Sequence, residues 1–311
     1  MEGSLTVLND WLAATVRLAA PLMIVGAGGV FTERTGIFNI GMEGMMLTGA
    51  MAAIWASLVT GNILVATLAA MLVGGLLALV HAYLTVTRRA DQIVSGAAIN
   101  LFALGITNLF NSTLYAGFEY RPRVELYPVI APASIQHIPV IGPILLAQPV
   151  IVWVAFLLPF LGAWVLYRTS WGLNIRAVGD HPHAVATAGL NVLRLKYVGV
   201  LVSGVGAGLG GAALALADLG LFAPNMTAGR GFAVMAALVV GKWNPIYVAG
   251  ACLLFGAADA FQLRAQTLGL AIPYQVFVML PYLLTIAALA GFVGRTVGPK
   301  TVGKPYDPET I

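Results

Sequence analysis

The chain has 311 residues, 59% of them hydrophobic and 9% charged, with a mean hydropathy of +0.91. Soluble domains carry about 25% charged residues, so this chain lacks the polar surface that water requires. It reads as an all-α polytopic membrane protein. The net charge of +4 is no nucleic-acid signal: the basic residues cluster in loops beside apolar runs, where the positive-inside bias accounts for them.

Residues 11–31 are long enough to cross a bilayer at about 1.5 Å per residue. Arg17 can snorkel from one end of this run, and Pro21 is placed to kink it. No Lys or Arg precedes Arg17, so the run lacks the basic flank of a cleaved signal and is expected to stay in the mature protein. Residues 32–44 then break the apolar pattern with Glu33, Arg34, Asn39, Glu43 and several glycines. A Met-, Ala- and Gly-rich run follows at 45–60, and a further span at 62–87 closes on Arg88-Arg89, the mark of a cytoplasmic end.

Residues 92–110 are apolar but carry Gln92, Ser95, Asn100 and Asn108. A lipid-facing helix avoids that load, which predicts a place inside the bundle. Residues 111–148 combine prolines with balanced charge, Arg121 and Arg123 against Glu119 and Glu125, and suit an outer loop. Residues 149–167 span back. The segment 168–196 is polar and basic, with Arg168, Arg176, Arg194 and Lys196 against Asp180. It has a helix signal of its own: Asp180 as N-cap, Pro182 in the first turn, Gly189 as terminator. A turn needs only a few residues, so a loop of this length predicts a cytoplasmic handle for something outside the membrane.

Residues 197–217 are Gly-rich, the composition of a close-packing face in lipid. Asp218 opens a second break that runs to Phe232. Residues 231–241 reach only about 16 Å and are expected as a half-helix ending at Lys242-Trp243-Asn244-Pro245. Spans at 246–263 and 275–293 and a basic tail with Arg295, Lys300 and Lys304 complete the chain. The total is eight to ten membrane segments with broken or re-entrant helices, forming a single transmembrane domain over 1–311. The side of the N-terminal end stays open. A weak internal echo links 19–53 with 199–237: an apolar Gly-rich run, a polar break, then small residues. Broken helices in corresponding places point to a transport route. The lone Cys252 reads as a small buried hydrophobe.

Among the polar residues, Asn39, Asn100, Asn108 and Gln262 are candidates to face a translocation route, against interhelical hydrogen bonding as the plainer role. Glu33, Arg34 and Glu43 read as architectural pairs, and Arg230 with Asp218 as a brace or outer gate. His181 and His183 have no further His or Cys nearby in sequence, so no metal site is expected. No phosphate-binding Gly-Lys-Ser/Thr loop or hydrolase motif is present, so the chain is not expected to be an enzyme.

The stretch from Glu33 to Leu47 resembles the first signature of permease subunits of bacterial ABC importers of the branched-chain amino acid, ribose and simple-sugar type. Gly229–Phe232 with Gly241–Pro245 is similar to their second signature. Arg176, Gly179, Asp180, Ala184, Ala188 and Gly189 are similar to their cytoplasmic coupling loop, with Val185, His181 and His183 as departures. Within the family the combination most resembles nucleoside importer permeases. The resemblance implies a multi-pass protein of the bacterial inner membrane, surrounded by lipid, that binds no cofactor itself. ATP and Mg would be used by a cytoplasmic ATP-binding cassette partner. The other implied partners are a second, non-identical permease subunit and an extracytoplasmic solute-binding protein. A simple sugar such as ribose is the alternative solute. A self-contained secondary transporter is the alternative machine, disfavoured because the acids lie mostly at segment ends.

Overall fold

A computed structural model describes residues 2–116, 121–131, 138, 141–267 and 298–307, with scattered residues between 275 and 290. The regular secondary structure of the described residues is helical, apart from one isolated bridge, Val129 to Pro149. Ten α-helices are named here in chain order: α1 Glu2–Arg34, α2 Met42–Thr60, α3 Ile63–Ala82, α4 Gln92–Leu114, α5 Val150–Arg168, α6 Ser170–Asp180, α7 Pro182–Thr187, α8 Val192–Leu214, α9 Arg230–Val240 and α10 Pro245–Thr267. One turn of π-helix extends α3 to Thr87, and another extends α8 to Leu219. Seven helices among the described residues are long and apolar enough to cross a membrane, and α9 is a shorter apolar helix. The last expected span, 275–293, lies largely outside the described residues.

The core forms around α8, which packs on α1, α2 and α3. Its glycines set how close these helices come. A Cβ at Gly208 would stand 2.1 Å from the Ala70 carbonyl oxygen, and one at Gly211 2.0 Å from that of Met46. Lipid supplies no hydrophobic drive between helices, so stability here comes from such backbone approach. α3, α4 and α5 are peripheral, with rows such as Leu64, Leu68 and Leu72 exposed.

Contacts sort the ends of the helices into two faces. One face gathers Arg34, the Thr87–Asp91 turn, α6, α7, the Gly241–Asn244 turn and segment 298–307. Its links include Thr87 with Tyr197 (2.6 Å), Thr301 N to the Gly179 carbonyl (3.0 Å) and an Arg89–Asp307 ion pair (2.9 Å). The opposite face carries Asp10 with Arg264 and segment 121–131. That segment is held by Val124 N to the Gly220 carbonyl (2.8 Å), by Tyr127 to Thr67 (2.6 Å) and by Arg121, whose guanidinium lies over the Tyr115 ring (5.1 Å). Basic residues crowd the first face, the bias expected of a cytoplasmic side, and it is called the cytoplasmic face below. The N-terminal end of α1 lies toward the opposite face.

Three expectations need correction. The first break is narrower than 32–44: α1 runs through Glu33 and Arg34, α2 starts at Met42, and the irregular stretch is 35–41. Asp180 is no N-cap. It is the last residue of α6, a helix capped by Thr169 (Gly172 N to Thr169 Oγ1, 3.1 Å), and His181 precedes α7 without a side-chain cap. α4 is not interior: Gln92, Ser95 and Asn100 are buried, but Leu101 is 71% exposed, and Phe102 and Asn108 also face outward. Pro182 opens α7 and Gly189 (φ +81°) ends it, as read from the sequence.

Candidate functional site

The two signature regions meet around α9. Irregular backbone at membrane depth must have its N–H and C=O groups satisfied by protein. At the N-terminus of α9, the Glu43 carboxylate accepts from Thr227 Oγ1 (2.6 Å), Gly229 N (2.9 Å) and Gly231 N (2.6 Å). Three donors at a helix start, aligned with its dipole, are what a buried carboxylate needs. Glu43 is itself in the first turn of α2, so it joins the starts of two helices.

At the other end of α9, Lys242 and Trp243 both adopt left-handed backbone (φ 52° and 53°), which costs non-glycine residues about 1–3 kcal/mol each. The end of α1 holds that turn. Glu33 accepts from the Trp243 indole N–H, while Arg34 Nε donates to the Trp243 carbonyl (3.0 Å) and Arg34 Nη2 to that of Lys242 (3.3 Å). Glu33 and Arg34 thus serve the second signature, not each other.

The break at 35–41 is secured in the same way. Gln92 Oε1 accepts from Phe38 N (2.7 Å), and His81 Nε2 lies 3.4 Å from the Phe38 carbonyl. Asn39 Nδ2 donates to Ser203 Oγ (3.0 Å). Asn100 donates to the Ile40 carbonyl (3.1 Å) and accepts from Gly44 N (2.8 Å), one of the orphan N–H groups of α2. Asn39 and Asn100 are buried and engaged in this network, with Asn39 Oδ1 left unpartnered. Asn108 is exposed and Gln262 half-buried, and neither bonds to the described residues. Arg230 folds back on the carbonyls of Met226 (3.2 Å) and Thr227 (3.5 Å). The side chain of Asp218 lies outside the described residues, so the expected brace has no geometry here.

The two breaks run in opposite senses. α1 descends to the cytoplasmic face before its break, and α2 climbs from within the membrane; α8 climbs before its break, and α9 descends.

On the cytoplasmic face, α6 and α7 form a short helical hairpin. Gly179 rests on the end of α1, where a Cβ would stand 2.1 Å from the Arg34 carbonyl oxygen. Arg176 lies over the Tyr167 ring (5.1 Å). Val178, Val185 and Val192 make a small buried cluster that seats α7. Val185, a departure from the family pattern, therefore faces inward. Ala184, Ala186, Ala188 and Gly189 are exposed. His181 and His183 face segment 298–307: Lys300 Nζ is 3.1 Å from His181 Nε2, and the His183 and Tyr306 rings lie 5.2 Å apart. This docking of a distant segment had no signal in the sequence.

Comparison with known proteins places these features. Residues 11–289 match the family described as branched-chain amino acid transport system / permease component. The chain is 40% identical over 309 residues to the guanosine ABC transporter permease protein NupQ of Bacillus subtilis, covering 96% of this chain and 97% of that protein. It is 37% identical over 297 residues, 93% of each, to the nucleoside ABC transporter permease protein NupC of Lactococcus lactis. It is 34% identical over 304 residues, 92% of each, to a Haloferax volcanii protein, TsgC13, provisionally named a glucose ABC transporter permease. With the matched region running from α1 past α10, the chain belongs to the branched-chain amino acid transport system permease family and is a multi-pass membrane permease subunit of an ABC importer.

Proposed function

We propose that this permease carries nucleosides. Support comes from its similarity, over more than nine-tenths of its length, to NupQ and NupC, permeases named for guanosine and nucleoside transport. A simple sugar is the second reading, favoured by the likeness to TsgC13. Permeases of this family are not enzymes; family membership implies a partner ATPase that uses ATP and a partner that binds solute. In our reading the solute-binding protein docks extracytoplasmically, on the face bearing segment 121–131.

The α6–α7 hairpin is the proposed coupling element. Ala184, Ala188 and Gly189 offer a flat exposed surface to a groove on the ATPase. Arg176, Gly179 and Asp180 fix the hairpin to Tyr167, α1 and segment 298–307. A push on α7 would reach α1 through Gly179, and from there α9 through Glu33 and Arg34. Among the four candidates for the route, Asn108 and Gln262 make no bond to the described residues, whereas Asn100 is spent on the break and Asn39 keeps only a buried Oδ1 unpartnered. An exposed amide on an apolar helix is costly in lipid, so the Asn108 face of α4 is where we place a second, non-identical permease subunit and the route between the two.

The test is uptake by proteoliposomes holding the whole assembly. ATP-dependent accumulation of labelled guanosine, competed by other nucleosides and not by ribose, is expected. Ribose uptake without nucleoside uptake would favour the sugar reading. Uptake by vesicles lacking the ATPase would overturn the coupling scheme.

A further inference from the structure

A pocket of about 350 Å³ lies on the cytoplasmic face between α7 and segment 298–307. It is lined by Asp180, His181, Pro182, His183, Ala184 and Lys196, and across from them by Thr301, Lys304, Pro305 and Tyr306. Lys196 is 1% exposed, yet its ammonium makes one hydrogen bond, to the Thr35 carbonyl (2.7 Å), and no ion pair with the described residues. A buried ammonium has three donors and is stabilised by an anion. Lys304 stands on the rim, also without an ion pair among the described residues, and Lys300 Nζ sits beside His181. Asp180 is the one carboxylate on the wall, and its Oδ1 lies 3.4 Å from Lys300 N.

We propose that this pocket binds a phosphomonoester. Donors converge on it from three separate elements: Lys196 from α8, His181 and His183 from either side of Pro182, and Lys304 from the tail. Such convergence suits a tetrahedral dianion with several acceptor oxygens better than a single carboxylate. The paired rings of His183 and Tyr306, with Pro182 and Pro305, give an apolar wall for the organic part of the ester. The volume falls in the range of small-molecule sites, about 300–1,000 Å³. A bound ester would tie the coupling hairpin, the tail and α8 together, so its natural consequence is control of transport from the cytoplasmic side. The site stands independently of the nucleoside reading.

Two sources carry this chemistry, a soluble nucleotide and a lipid headgroup. The full-length chain in phosphatidylcholine nanodiscs would be titrated with adenosine 5′-monophosphate and with inorganic phosphate, by calorimetry. Thermal stability would be compared in discs with and without phosphatidate. Saturable nucleotide binding, weakened about tenfold or more by Lys304→Ala or by His183→Ala, supports a soluble ester. Phosphatidate-dependent stabilisation that Lys304→Ala removes, without nucleotide binding, supports a headgroup. Both variants lie at the rim, away from the packed core, and Lys196→Met should abolish either signal. Binding that all three variants leave unchanged, or no signal from any probe, overturns the proposal.

Discussion

The first break and the cytoplasmic hairpin both interrupt apolar helices with polar sequence, yet they use their polar groups in opposite ways. At 35–41, side chains from α3 (His81), α4 (Gln92 and Asn100) and α8 (Lys196) converge on irregular backbone and bond to it. In the hairpin, α7 is anchored by the cluster of Val178, Val185 and Val192, and apart from Pro182 its remaining residues are exposed. The difference follows from the surroundings. Backbone within the membrane has no water to bond, so nearby polar side chains are consumed by architecture. Backbone at the cytoplasmic face is solvated, so side chains there stay free for a partner. A polar residue in this protein is thus best judged by whether its hydrogen bonds are already taken.

The largest test of that distinction is Glu43→Ala. It leaves Thr227, Gly229 and Gly231 without their acceptor, and a buried unsatisfied donor costs about 1–3 kcal/mol. A loss of about 3 kcal/mol or more is expected, measured as a fall in detergent-solubilised melting temperature. Glu43→Gln keeps a carbonyl acceptor and should lose less. Equal melting temperatures for wild type and Glu43→Ala would remove the clamp on α9.

Gly179→Ala comes next, where the two regions touch. The new methyl meets the Arg34 carbonyl, and overpacking of this kind costs about 1–3 kcal/mol. If the hairpin pushes on α1 through this contact, solute-stimulated ATPase activity of the assembly should fall further than its stability does. A variant that melts lower but retains full stimulation would show that Gly179 only packs.

Asn100→Ala should cost about 1–3 kcal/mol in stability with no added loss of transport, because the buried Gly44 N–H loses its acceptor and the Ile40 carbonyl its donor. Thermal melting checks it, and KM for uptake should stay within about twofold of wild type, on the view that surviving protein has an intact route.

The helices themselves were legible from hydropathy. The expected spans 62–87 and 149–167 correspond to α3 with its π extension and to α5, and the half-helix at 231–241 to α9. Apolar length decides such elements, and length is local. The roles of Asn39 and Asn100 were not legible, because their partners lie far along the chain: the Ser203 hydroxyl is 164 residues from Asn39, and the backbone groups of Gly44 and Ile40 are 56 and 60 residues from Asn100. An amide in a membrane helix reads the same whether it meets a solute or a broken helix. The capping role given to Asp180 failed for a local reason. Thr169 starts a helix eleven residues earlier, and its two glycines, Gly172 and Gly179, disguise it. Those glycines are required by approach to α5 and α1, which no sequence window contains.

The smallest stability effect, and the sharpest contrast with Asn100, belongs to Asn108→Ala. The two residues lie two helical turns apart on α4 and carry the same amide. Asn108 makes no hydrogen bond to the described residues and is exposed, so its removal opens no cavity and orphans no donor. Surface substitutions of that kind change stability by about 0.5 kcal/mol or less. If the exposed face of α4 borders the route, losing the amide removes a hydrogen bond to the solute and should raise KM for uptake several-fold with melting unchanged. If the face only meets a second subunit, KM should hold while association of the two permeases weakens, read by cross-linking across α4. An Asn108→Ala protein normal in uptake, association and melting would break the rule, since an amide with unspent hydrogen bonds would then have no use at all.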